Sequence, residues 1–310
     1  MYQRRVLVKQ LIKLLIWGLG KDYNSHLNLL KVYEEKGDIE IVAVTAKDVP
    51  DYNTLDSWTI VSANDIYDLE YDYILIFNAQ FFSEIKNSIV SMGIEANKIL
   101  NGKILDLPYF EWEKYLEIYN SRISIISCNC WGGMLYKTLG MECLSPFKNL
   151  WVDAGELCDC FDQLEQLSKI EPIFDSWDVD IHSNCRYPVG RIEKIKIHFN
   201  HETSWDNALE NWNRRVKKIN FGNLFLAIYT EDYEVVEKFL NIVRNGKKGV
   251  CFVPESLASY QNFEEIFVLK LLPEQKEFYE TVNSNVSNSK NSLIIDILSM
   301  LREEKVYRVR

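Results

Sequence analysis

The sequence predicts an α/β protein built of two domains, each organised around a parallel sheet. Three observations carry that reading. The chain has 310 residues, a length that suits two domains better than one. Short apolar runs alternate with helical patterns in both halves, as βαβ units require. In each half an apolar run is followed by a glycine pair and then a helical pattern, directly in the first half and after four residues in the second. The composition fits: 47% hydrophobic, 26% charged and 13% aromatic residues describe a globular chain able to bury a core. The net charge of −10 opposes broad binding to nucleic acid or to an anionic membrane. No apolar run approaches the ~18 residues needed for a transmembrane helix. Lys9 and Lys13 interrupt the N-terminal apolar stretch, and no small-residue cleavage site follows. A cytoplasmic location is the expectation.

In the first half, Leu14 to Trp17 is an apolar strand and Gly18-Leu19-Gly20 follows it directly. A helical pattern carries Leu29, Leu30, Val32 and Tyr33 to one side and ends near Gly37; Ile39 to Val44 is the next strand. Strand, Gly-x-Gly, helix, strand is the opening of a Rossmann-like domain, with Gly18 and Gly20 placed to approach a ligand's phosphates. The third glycine position holds Tyr23, and the second strand ends without a carboxylate for a ribose, Asp48 coming slightly late. The pattern therefore supports the topology more than bound NAD, and a nucleotide-sugar or another nucleotide is equally compatible. Asp72 to Phe77 reads as a strand, Phe82 to Met92 as a helix ended by Gly93, and Ile99 and Ile104-Leu105 as short strands. Tyr109 to Asn120 reads as a connecting helix, which places domains at 1–118 and 119–310. No Gly/Ser/Pro linker separates them, so the halves are expected to pack together.

The second half opens on Ile123 to Ser127, a buried strand that breaks at Cys128-Asn129-Cys130-Trp131-Gly132-Gly133. A helical pattern from Met134 is stopped by Gly140. A strand, a glycine turn and a helix present backbone N–H groups to an anion, which makes Gly132 and Gly133 ligand candidates; tight packing is the favoured alternative. Trp131 is expected in the core. Leu157, Phe161, Leu164 and Leu167 recur at helical spacing within 151–170, with the acidic residues on a solvated face. Pro172 to Ser183 reads as a loop or short strand, and Tyr187-Pro188-Val189-Gly190 as a turn. Ile192 to Phe199 alternates as a half-buried strand does and delivers His198 and His201 at its end. Thr203-x-x-Asp206 resembles a capping box ahead of an amphipathic helix from Trp205 to Ile219. Arg214 and Arg215 near its C-terminus either compensate the helix dipole or grip a phosphate or carboxylate. Leu224 to Tyr229, Gly249 to Val253 and Glu264 to Leu271 read as strands, with a helix from Tyr233 to Val243 capped by Thr230. Asn283 to Ser292 reads as a loop and Leu293 to Arg302 as a final helix.

Seven cysteines, an odd number, do not make a secreted disulfide framework. The Cys128/Cys130 and Cys158/Cys160 pairs are spaced too closely for a zinc knuckle, and His198-x-x-His201-Glu202 lacks the spacing of a helical zinc motif. No metal site is expected, and no cofactor is singled out. His201, at a strand-to-helix turn, has the near-neutral pKa of a general base. Cys130, ahead of a helix, has the setting of a nucleophile.

Cys130-Trp131-Gly132-Gly133-x-x-Tyr136-x-x-x-Gly140, then Ser145-Pro146-x-x-Asn149, then His198-Phe199-x-His201, and Trp205-x-x-Ala208-x-x-x-Trp212-x-x-Arg215-x-x-x-Ile219-Asn220, resemble a bacterial family, domain of unknown function nineteen-nineteen. The likeness spans about residues 120 to 270, departing at Cys128 and Glu202. Asn149 and His198 stand in these motifs and join the ligand-binding candidates. Members are often labelled exopolysaccharide biosynthesis proteins, so the resemblance implies a surface-glycan setting. The expected function is a transferase acting on a nucleotide-activated or phosphorylated sugar, with His201 as base, Arg214 and Arg215 neutralising phosphate, and a small-molecule nucleotide or sugar as ligand. The alternatives are a non-catalytic nucleotide- or sugar-binding protein of the same pathway, and a hydrolase with Cys130 as nucleophile and a histidine as base.

Overall fold

The computed structural model describes residues 11–47, 54–180, 183–271, 275, 277–284, 295–304 and 306. Asp48 and most of the loop expected over 283–292 lie outside these residues; within the final helix expected over 293–302, Ile297–Leu301 is helical. The chain divides into two compact units, Met1–Asp106 and Leu107–Arg310. The helix expected to join the halves belongs to the second unit.

The first unit runs β1 (Ile12–Trp17), α1 (Lys21–Glu35), β2 (Ile39–Thr45), a small hairpin of β3 (Thr54–Leu55) and β4 (Trp58–Thr59), β5 (Tyr73–Ile76), α2 (Phe82–Ser91) and β6 (Ile99–Asn101). Four of these strands form a parallel sheet in the order β2-β1-β5-β6. The chain leaves β1 for one neighbour and returns on its other side, so the switch in direction falls between β1 and β5, where doubly wound sheets open a crevice. Leu15, Ile74 and Ile76 meet Ile89 and Ile99 in its core. Ile104 and Leu105, expected as strand, lie in a short 3-10 helix over Gly102–Asp106 and are buried. An apolar pair alone does not distinguish a buried strand from a buried helical turn.

The second unit begins with α3 (Trp112–Ser121), β7 (Ser124–Ser127), α4 (Trp131–Thr138), α5 (Ala154–Cys160) and α6 (Leu164–Leu167). Then come β8 (Ile173–Val179), β9 (Arg186–Ile192), β10 (Ile195–His198), α7 (Trp205–Val216), β11 (Leu224–Tyr229), α8 (Tyr233–Arg244), β12 (Lys248–Pro254), β13 (Ile266–Leu269), α9 (Phe278–Ser284) and α10 (Ile297–Leu301). A parallel sheet runs in the order β13-β12-β11-β7, and an antiparallel one in the order β10-β9-β8. Leu226, Ile228 and Cys251 of the parallel sheet share one core with Leu157, Leu164, Ile197, Phe199 and Trp212. That core is why the apolar spacing of the 157–167 and 205–219 stretches is visible in the sequence.

Two expectations change here. Gly132 and Gly133 are not in a turn: α4 begins at Trp131, and both glycines are buried inside it. Tyr187 to Gly190 is not a turn but the middle of β9. A Cβ on Gly190 would stand 2.9 Å from the Trp205 ring, so the glycine serves close packing within the strand. Pro188 accepts from Phe199 N at 3.0 Å but has no N–H to return. The Phe199 carbonyl accepts instead from Glu202 N at 2.8 Å, which closes the turn that carries His201. The caps also shift by a residue or two: Ser204 caps α7 and Asp232 caps α8.

Candidate active site

β7 ends at Ser127, and Cys130 is the residue from which α4 springs. Asn129 shapes this corner. Its Oδ1 accepts from Ser127 Oγ at 3.1 Å and from Trp131 N at 3.0 Å, and its Nδ2 donates to Asn283 Oδ1 at 3.1 Å. One of the helix's unmatched N–H groups is thus met by a side chain of the preceding turn.

His201 arrives from the other sheet. Trp151 and His198 exchange backbone hydrogen bonds of 3.1 and 2.8 Å, and Val152 N donates to the Cys128 carbonyl at 2.9 Å. These bonds tie the end of β10 to the end of β7. The result is a contact of 3.3 Å between His201 Nε2 and Cys130 Sγ, across 71 residues of sequence. Cys130 is half-buried and His201 exposed. Burial pushes the Cys130 thiol up. The resting group is therefore a neutral thiol, and the adjacent imidazole is what can take its proton as a bond forms. Two buried polar atoms next to this pair in sequence, Trp131 Nε1 and Asn200 Oδ1, have no hydrogen-bond partner among the described residues.

The other candidates divide. Gly132 and Gly133 follow Cys130 but face the chain itself: a Cβ on Gly132 would stand 2.9 Å from Ser127 Cβ, and one on Gly133 would collide with Asn149 Oδ1. Asn149, with a left-handed φ of 56°, is the packing partner of that glycine. His198 lies in a second polar group. Its Nδ1 is 3.3 Å from Tyr187 Oη, which donates to Asp178 at 3.0 Å, and its ring stands edge-on to Trp151 at 4.4 Å. Burial lowers the His198 pKa. Arg215 donates to the Lys148 carbonyl at 3.1 Å and lies 3.8 Å from Glu202, so it is engaged inside the chain. Arg214 is exposed and donates to Asn211 at 2.6 Å. Trp151 and Glu202 are contributors the sequence does not place at the site: Trp151 carries no motif, and Glu202 reads there only as a possible metal ligand and a departure from the family pattern.

A cavity of about 400 Å³ opens at the same ends of β7 and β11. Cys128, two residues before Cys130, lines it together with Trp151, Asp153, Tyr229, Glu231 and Asp232. Burial raises Cys128 and Tyr229 to about 12, which leaves both protonated at neutral pH. All seven cysteines are free thiols, and no group of His, Cys, Asp and Glu among the described residues is arranged to hold a metal.

In the first unit, a crevice of about 230 Å³ lies at the ends of β5 and β6, lined by Asp22, His26, Asn78, Asn101, Lys103 and Asp106. Gly18, at φ +102°, has its open face filled by the Phe77 carbonyl, whereas a Cβ on Gly20 would meet nothing within 4 Å. The Asp22 carboxylate accepts from Ala79 N at 2.9 Å in the first turn of α1. An acidic group already stands where a phosphate would approach that helix.

Fold and site together define a two-unit α/β protein whose second unit carries a cysteine–histidine pair at the carboxyl end of a parallel strand. Over residues 101–302 the chain matches the family described as Domain of unknown function (DUF1919), and it belongs to that family. Residues 10–100 match a second family description, C2185-like, N-terminal. An uncharacterized protein of Haemophilus influenzae is 29% identical over 126 residues, which are 41% of this chain and 58% of that protein. The chain thus spans about 58% of the length of this curated relative. A dehydrogenase from Clostridium difficile aligns over 76% of this chain and 92% of its own at 12% identity, with a TM-score of 0.22. Among the described residues no helix is long and apolar enough to cross a membrane.

Proposed function

We propose that this protein is a group-transfer enzyme of surface-glycan assembly that works through a covalent thioester on Cys130, with His201 as its base. The observation that carries the reading is the 3.3 Å contact between Cys130 Sγ and His201 Nε2. His201 takes the thiol proton as sulfur attacks the carbonyl carbon of an acyl donor. The leaving group departs with that proton, and a thioester remains. An acceptor hydroxyl then gives its proton to His201 and attacks the thioester, which restores the thiol. If water takes the acceptor's place, the same steps describe a hydrolase.

The glycan setting rests on the motifs shared with the family. The cavity beside Cys128 is compatible with a sugar: Trp151, 38% exposed, offers an aromatic face, and Asp153, Glu231 and Asp232 can accept from hydroxyls. A phosphate there would face three carboxylates and no lining Lys or Arg among the described residues. The preferred transferred group is therefore uncharged, an acyl group, ahead of a phosphorylated or nucleotide-activated sugar.

The test is acyl loading. The protein is incubated with a small acyl thioester or an activated aryl ester, and each cysteine peptide is resolved by mass spectrometry. The expected result is loading at Cys130 ahead of the exposed Cys185, slowed by His201→Ala and abolished at that peptide by Cys130→Ser. Loading at Cys130 no faster than at Cys185 overturns the proposal.

A further inference from the structure

We infer that Glu202 is a positioning residue that holds His201 against Cys130, through a clamp closed by Asn211 and Arg215 of α7. The inference rests on the Cys130–His201 reading above. His201 is exposed, and no hydrogen bond other than that to Cys130 holds its ring among the described residues. Its aim must come from the turn that carries it. On one side of the turn Phe199 is 1% exposed and packs edge-on to Trp205 and Trp212, with ring centroids 5.8 and 6.4 Å away. On the other side Glu202 is held by its side chain. Its Oε1 accepts from Asn211 Nδ2 at 2.9 Å and lies 3.8 Å from Arg215 Nη2.

The clamp reaches further. Asn211 and Arg215 are four residues apart, so they share one face of α7. Arg215 Nη1 donates to the Lys148 carbonyl at 3.1 Å, and Lys148 and Asn149 pack against the Gly133 turn of α4, the helix that starts at Cys130. One arginine thus ties the histidine's turn to the segment that braces the cysteine's helix. Glu202 and Arg215 are only 15% and 16% exposed, so the contact is sheltered from solvent and less screened than a surface pair. A nucleophile and base displaced by about 1 Å lose on the order of a hundredfold in rate. A clamp on the base is therefore where the fold can regulate reactivity without touching either reacting atom.

The experiment is the pH dependence of iodoacetamide alkylation at Cys130, followed by peptide-resolved mass spectrometry in the full chain. Wild type is expected to show a pH dependence that requires the His201 ring; His201→Ala should leave only the rise that comes from ionisation of the Cys130 thiol itself. Glu202→Ala should move the profile toward that of His201→Ala, with about a tenfold loss at neutral pH. Glu202→Gln, which still accepts from Asn211, should restore most of the wild-type profile; a role in stability alone would change the melting temperature and leave the profile in place. Should Glu202→Ala fail to fold, Asn211→Ala removes the 2.9 Å bond from a half-buried helix position and should shift the profile the same way. A wild-type profile in both Glu202→Ala and Asn211→Ala, with His201→Ala altered, overturns the clamp. If His201→Ala itself behaves as wild type, the Cys130–His201 reading fails, and the clamp with it.

Discussion

Gly18 and Gly20 show what a single position decides. At Gly18 the backbone is left-handed, and an added Cβ would stand 2.8 Å from the Phe77 carbonyl. Gly18→Ala is expected to cost about 1–3 kcal/mol. Gly20 precedes α1 with an extended φ of −90° and open space around its Cα. Gly20→Ala should cost no more than about 1 kcal/mol, the loss of a tolerant capping residue. Denaturant unfolding of the two variants measures the contrast, and equal losses would show that the β1–β5 approach is not what requires Gly18. Neither residue needs a nucleotide to explain it. In the sequence both looked alike, because Gly-x-Gly does not say which glycine faces backbone and which faces solvent.

At the scale of an element, α4 reverses an ordinary rule. Glycine inside a helix is normally worse than alanine by about 1 kcal/mol. Here Gly132 lies in α4 with Ser127 Cβ 2.9 Å and Ile125 3.4 Å from where a methyl would sit. Gly132→Ala is therefore expected to destabilise, by about 1–3 kcal/mol of overpacking, and to push α4 off β7. Thermal denaturation gives the sign, and a rise in melting temperature would refute the packing account. α7 follows the rule instead. Ser204 Oγ accepts from Asn207 N at 3.3 Å, and Ser204→Ala should cost about 1 kcal/mol. The helix itself was legible from the spacing of Ala208, Leu209, Trp212 and Val216. The capping residue was misplaced by one, since Thr203 and Ser204 are both good caps and only backbone geometry chooses between them.

For the whole molecule, two histidines in different units respond to acid in opposite directions. The hydrogen bond to Asp106, 2.9 Å from Nε2, outweighs burial and raises the His26 pKa above its ordinary 6.5. A raised folded pKa adds stability that is complete below the unfolded value and disappears as pH rises through the folded one. His198 is the reverse: burial lowers its pKa below 6.5, so its contribution is present above that value and fades as pH falls toward the folded pKa. His26→Gln should therefore cost more melting temperature at mildly acid than at alkaline pH, and His198→Gln more at neutral than at acid pH. A scan of both variants across this range checks the signs, and parallel pH profiles would contradict them.

The amino-acid sequence was sufficient for most strands of the two parallel sheets, for the helices between them and for the apolar faces that build their cores. Those depend on periodicity, which is local and written along the chain. The sequence was not sufficient for β9, which reads as a turn, or for the small β3–β4 hairpin. Cys130 and His201 were each visible as candidates, one before a helix and one after a strand. Their meeting was not, because they are 71 positions apart with three strands of a second sheet between them. Trp151, bridging β10 to the end of β7, acts only once two sheets are brought together, and Pro188, which frees the Phe199 carbonyl for Glu202, only once β9 and β10 pair. The same holds for Gly132 and Gly133, whose buried faces in α4 are set by what packs on them. Arg215 reads from the sequence equally as a partner of the helix dipole or of a phosphate, and it is the fold that sets it against Glu202 and a backbone carbonyl. Side-chain chemistry can be read residue by residue, but which partner satisfies it is decided by tertiary packing, since buried charges and hydrogen-bonding groups take the partners the fold brings within reach.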